Sequence, residues 1–202
     1  MKIWYTAHMP GRNDQLDAMS VWVLGIWTGA LIMTGASAAI IFPEVRQMGA
    51  NVGDLVLPGD EHWKYIAGRV QNRVFGVCDW LQLFSGAVVL ALFIASALGR
   101  RSAQVGRRLW IARVGVTSLV LTTLAVYLAW LAPAMQTDLH AFWTALDAKN
   151  LDAALVAQAS FDKYHPVASK FFSGMLVGVV ILGLLTARGI GRGVPSQVHA
   201  GT

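Results

Sequence analysis

Four long apolar runs separated by polar stretches set the pattern of this chain: residues 21–42, 74–98, 109–132 and 167–187. A helix rises ~1.5 Å per residue, so each run can cross a hydrocarbon core about 30 Å thick. The pattern therefore predicts an all-α protein, a four-helix transmembrane bundle with helical external segments. Residues 1–20 read as a polar N-terminal arm and 188–202 as a Gly-rich polar tail. Ala36-Ser37-Ala38 also fits the small-x-small pattern of signal-peptide cleavage. However, the apolar run continues to Phe42, and Asp14 and Asp17 interrupt any basic leader, so the first run is read as a span.

The polar stretches carry their own signals. Gly49, Gly53 and Pro58-Gly59 mark a loop, and Asp60 suits the N-cap of a helix that continues into the second span. His62 on that helix, like His8 in the arm, reads as solvated. Pro43 and Pro133 are expected to end or bend the first and third spans. Residues 136–164 predict short amphipathic helices, broken near Asn150 and lying on the outer face. Leu83-Phe84-Ser85-Gly86 recurs as Phe171-Phe172-Ser173-Gly174, and the two prolines have a similar offset. A duplication would relate the halves by a pseudo-twofold along the membrane normal.

Composition agrees with a membrane protein. Of 202 residues 55% are hydrophobic and 13% charged, against roughly 25% charged in soluble domains. The net charge of +5 does not point to nucleic acid, because the basic residues flank apolar runs. Arg100, Arg101, Arg107, Arg108 and Arg113 follow the second run with no acidic residue among them. That places this connection in the cytoplasm, with both termini, in a multi-pass protein of the cell membrane. Trp22 and Trp110 then fall near the inner boundary, and Trp80 and Trp130 near the outer one. A single cysteine, Cys78, excludes an intrachain disulfide and a Cys-based zinc site.

One residue type is out of place. Asp79 lies inside the second run, on a face shared with Asn72, Gly76, Leu83 and Gly86, with Gln82 at its edge. A carboxylate facing lipid costs at least ~2.5–3.5 kcal/mol on insertion scales, so this face must look into the protein. On the fourth run His165, Ser169 and Phe172 share a face, with Ser173 at its edge. If the two stripes oppose each other they form a polar cleft in the outer half of the bundle. The candidate ligand- or ion-binding set is Asn72, Asp79, Gln82, His165, Ser169 and Ser173, with Asp79 and His165 joined in a charged hydrogen bond or sharing a cation. The alternative is a structural cluster that fixes helix register.

Other chemistry finds less support. Haem would need histidines deep in facing spans, and none of the five lies mid-span. Copper would draw on Cys78, Met135, His140 and His165, without a tight motif behind them. No nucleophile–base set or phosphate loop is present. The sequence thus predicts no catalytic residue, no cofactor and no enzyme; which metal, if any, is left open. Two readings remain: a transporter-like or ion-binding protein, or an accessory subunit of a membrane complex. Gly25, Gly29, Ala36 and Ala39 on the first run, and Gly174 and Gly178 on the fourth, offer faces for close helix approach. Beside the bilayer, the partners these allow are another protein or a second copy of the chain.

Several short pieces resemble the transmembrane-protein-205-like family. They are Phe42-Pro43, Ala67-Gly68-Arg69-Val70 with Arg73-Val74-Phe75, Ala132-Pro133 with Met135, and Tyr164-His165 with Ser169. The long stretch before Tyr164 and the proline after His165 depart from that pattern. The resemblance implies a four-span integral membrane protein. Animal members have been linked to tolerance of platinum drugs, which hints at export or trafficking.

Overall fold

The structure, a computed structural model, describes residues 11–53, 56–57, 61–99 and 106–190. It is all-helical: α1 (Arg12–Gln47), α2 (His62–Gly99), α3 (Arg107–Val126), a π-turn at Tyr127–Leu131, α4 (Ala132–Asp147) and α5 (Leu151–Ala187). α3, the π-turn and α4 form one rod, so four rods of 36 to 41 residues stand side by side. Each contains a stretch apolar enough to cross a membrane. The chain is a multi-pass membrane protein with the expected four-helix bundle.

At ~1.5 Å per residue the rods are about 54–62 Å long, roughly twice the hydrocarbon thickness. They therefore project beyond the bilayer, and several sequence expectations change. α1 begins at Arg12, so much of the expected N-terminal arm is helix. Pro43 lies inside α1, which continues to Gln47. Pro133 does not end the third span either. It sits at the start of α4, just after the π-turn, where the Ala132 N–H reaches back five residues to the Tyr127 carbonyl. The longer loop accommodates the proline, which lacks an N–H and crowds the preceding turn. The break near Asn150 is present, and the Asn150 side chain caps α5 by accepting from the Ala153 N–H at 3.1 Å. The segments on either side are continuations of the spans rather than helices lying on a surface. Asp60, His8 and residues 191–202 of the tail lie outside the described residues.

α1 packs against α2 and α5, and α3 against α5 and, more sparingly, α2, so α1 and α3 are diagonal. The main core joins Leu24, Trp27 and Leu31 of α1 to Val120 and Leu124 of α3 and Met175, Val179 and Leu182 of α5. A second core, at the end away from both described termini, gathers Phe142, Trp143 and Leu146 of α4 with Ala154 and Ala157 of α5 and Leu57 of the loop. It gives the projecting end an interior of its own. His62 is buried there, with Nε2 at 2.8 Å from the Leu57 carbonyl and Nδ1 receiving the Val52 N–H at 3.2 Å. Its solvated reading is thus corrected: the ring ties the loop to the start of α2. Nearby, Arg69 and Tyr65 hold Asp147 at 3.2 and 3.0 Å. Burial, and then the hydrogen bond to Asp147, raise the Tyr65 pKa above its ordinary value.

At the opposite end Asp17 and Arg113 form a two-pronged ion pair across the diagonal, at 2.7 and 3.2 Å. Both are almost fully buried. Arg113, expected among the cytoplasmic loop arginines, is instead an interior residue of α3. Gly189, just past α5, lies so close that an added Cβ would be 3.2 Å from the carboxylate and 3.3 Å from the guanidinium.

The small-residue faces divide. Gly178 of α5 meets α3, and a Cβ there would lie 2.5 Å from Val120 Cγ2. Gly86 of α2 likewise opposes Leu124 at 2.7 Å. Gly174, Gly25 and Gly29 have nothing within 4 Å of an added Cβ, so among the described residues no other helix packs closely on the Gly25–Gly29 face of α1. The two Phe-Ser-Gly pieces of the possible repeat have different surroundings. Ser85 and Gly86 are buried, whereas Ser173 and Gly174 are exposed.

Two stability outcomes follow. Asp17→Ala should lower the thermal midpoint in detergent by an amount worth ~3–5 kcal/mol, because it strands a buried guanidinium; Asp17→Leu with Arg113→Met should restore most of it. Gly178→Ala should cost ~1–3 kcal/mol, since Val120 is β-branched and stiff, while Gly174→Ala should not destabilise. Circular dichroism melts of the purified variants check both.

Candidate functional site

The helices enclose a cavity of about 540 Å³ that runs from the projecting end toward the middle of the bundle. It lies where α1, α2, the third rod and α5 face one another. Thr34, Ala38 and Phe42 line it from α1, and Trp63, Asn72, Phe75 and Asp79 from α2. Tyr127, Met135 and Gln136 follow from the third rod, and Phe161, His165, Ser169, Phe172 and Ser173 from α5. The walls are mainly apolar and aromatic, with a few polar groups set among them, as is usual for small-molecule sites.

Asp79 sits deep in this cavity and half-buried, turned away from lipid as its cost in hydrocarbon demands. Its partner is not His165. The Tyr127 hydroxyl donates to it at 2.9 Å, from the first residue of the π-turn. No cationic side chain lies within ion-pair distance of it among the described residues. Phe172 packs edge-on against Tyr127 with ring centroids 4.9 Å apart, and Phe75 is 6.4 Å from Phe172. Because Phe75 is one turn before Asp79 on α2, the carboxylate and the three rings occupy one neighbourhood.

The remaining predicted residues are distributed unevenly. Asn72 accepts from Gln136 Nε2 at 2.6 Å, joining α2 to α4 across the cavity. His165 is exposed near Lys64 and Asp162, which also line the cavity, and its ring meets Phe161. Ser169 returns its hydroxyl to the His165 carbonyl at 3.1 Å, a local helical bond. Ser173 lines the cavity. Gln82 does not reach the cavity. It is fully buried, with neither amide atom hydrogen-bonded among the described residues. Helical geometry shows why: Gln82 lies at the edge of the Asp79 face, turned toward the core. Of the copper set, Met135 and His165 line the cavity, while Cys78 and His140 do not. Among the described residues no three His, Cys, Asp or Glu side chains converge.

Sequence reading missed Tyr127 and Gln136. The usable signal was weak: Tyr127 is a lone phenol in a span, and a buried hydroxyl needs a partner. Its pairing with Asp79 depends on the relative rotation of α2 and the third rod, which no sequence period encodes. Gln71 was also missed; it donates to Ser37 Oγ at 2.9 Å between α2 and α1.

Gln82→Met should hold or raise the thermal midpoint, because it replaces an unpartnered buried amide with an apolar group of similar length. A marked fall in the melt would show that the amide has a stabilising partner in the membrane. Comparison of the chain with protein-family models, with curated proteins and with solved structures finds no match.

Proposed function

We propose that this protein is a non-enzymatic membrane component that admits a small organic molecule into the cavity between its helices, in the manner of a small transporter. The observation that carries the reading is the cavity itself, whose depth brings a carboxylate within reach of a molecule entering from the projecting end. Cavities of ~300–1,000 Å³ suit drug-sized ligands. A bundle serving only as a scaffold gains nothing from such a space, since close packing stabilises it. The arginine-rich connection between α2 and α3 supports an orientation with that connection in the cytoplasm and the cavity mouth on the far side. The resemblance to the transmembrane-protein-205-like family, with its hint of export, points the same way. The open Gly25–Gly29 face of α1 favours a second reading, an accessory subunit that meets its partner there.

Water access separates the two. With Cys78 replaced by Ser, Ala38→Cys and Ser169→Cys should react with a membrane-impermeant thiol reagent added outside intact cells. Met175→Cys, in the core, should not. Equal, slow labelling at all three positions would mean a dry interior and would favour the subunit.

A further inference from the structure

We infer that the molecule admitted is a lipophilic organic cation, an amine or onium group carried on an aromatic or branched apolar body. This rests on the reading of the cavity as a ligand site and adds the chemical class. Three observations converge on it.

The first is charge. Asp79 receives a single hydrogen bond, from Tyr127, and has lone pairs to spare in a half-buried position without a cationic partner among the described residues. At the mouth, Lys64 is tied to Glu61 at 2.6 Å, whereas Asp162 is in no ion pair among the described residues. An anion entering this space would meet two carboxylates and a lysine already neutralised. A neutral guest would leave Asp79 without a counter-charge.

The second is the wall around the carboxylate. Tyr127, Phe172 and Phe75 are grouped beside Asp79, with further aromatic rings toward the mouth from Trp63, Phe142 and Phe161. Ring faces attract cations, most strongly where water is displaced, and quaternary ammonium groups are held by such surroundings. The rings also accept the apolar body of the same molecule.

The third is the donor set. A bare divalent metal ion needs several oxygen or nitrogen ligands in fixed geometry. Here Asp79 meets one hydroxyl, that of Tyr127, with aromatic rings beside it, and among the described residues no three His, Cys, Asp or Glu side chains converge. A bulky charge-diffuse cation asks for no such ligand shell.

The test uses two ions of nearly equal size and opposite charge, tetraphenylphosphonium and tetraphenylborate, titrated into the full-length protein in mild detergent. Isothermal calorimetry and the part of the tryptophan fluorescence change that is lost in Trp63→Phe, Trp63 being one of the chain's eight tryptophans and lining the cavity, report binding. Tetraphenylphosphonium should bind saturably and tetraphenylborate on the order of tenfold or more weakly. Asp79→Asn should weaken the phosphonium by a comparable factor and narrow the difference between the ions. If Asp79→Asn does not fold, Phe172→Leu serves instead: it keeps an apolar wall, removes a ring face and should weaken the phosphonium alone. Equal binding of the two ions, preference for the borate, or full phosphonium affinity in the Asp79→Asn variant would each overturn the cation assignment. So would failure of the phosphonium to bind. Thiol labelling of Ala38→Cys and Ser169→Cys judges the cavity separately: labelled positions with no preference for the cation reject the ligand class and keep the site.

Discussion

In an apolar solvent a charged side chain has to be answered from within the protein, and the Asp17–Arg113 pair is where this constraint acts most strongly. The two residues come from diagonal helices, so their contact fixes the distance between α1 and α3 at one end of the bundle. Two parallel hydrogen bonds also set direction, because a guanidinium fork meets a carboxylate in one plane. Gly189 shows how tight the arrangement is, since even one methyl group there would crowd both partners. Hydrophobic association between helices is weak in lipid, and contacts of this kind give the rods a defined register.

The other end of the bundle is organised differently. Gly178 and Gly86 let helices approach near the middle, and beyond them larger side chains line the cavity. The projecting core of Phe142, Trp143 and Leu146 then closes the bundle again beyond the cavity. The space between is thus bounded by a tight waist on one side and a second core on the other. Asp79 lies toward the waist, with Tyr127 supplied by the facing rod.

How much of this was legible in the sequence depended on what decides each feature. Spans follow from length and hydropathy alone, and residues 21–42, 74–98, 109–132 and 167–187 all fall within the four rods. The inward direction of Asp79 followed from the cost of charge in hydrocarbon. Partner identity did not, since Asp79 chose Tyr127 over His165 through the relative rotation of two helices. Arg113 was misread because a count of arginines after the second span cannot tell which of them lies within the next helix and turns inward. Pro43 and Pro133 were read as ending or bending their spans, and neither ends its rod; membrane helices tolerate proline when neighbours or a local change of turn satisfy the freed backbone groups. His62 was misread because the loop that covers it comes from residues 51–57, a contact no periodicity predicts.

The π-turn has a geometric consequence for the third rod. An α-helix advances about 100° with each residue, so accommodating one extra residue in a turn swivels all that follows by about that angle. Met135 and Gln136 stand beyond it and line the cavity. With an uninterrupted α-helical screw from Arg107 to Asp147, those side chains would point along a different compass bearing and the chamber would lose its third wall. The aperture between these rods is therefore written into a single widened coil.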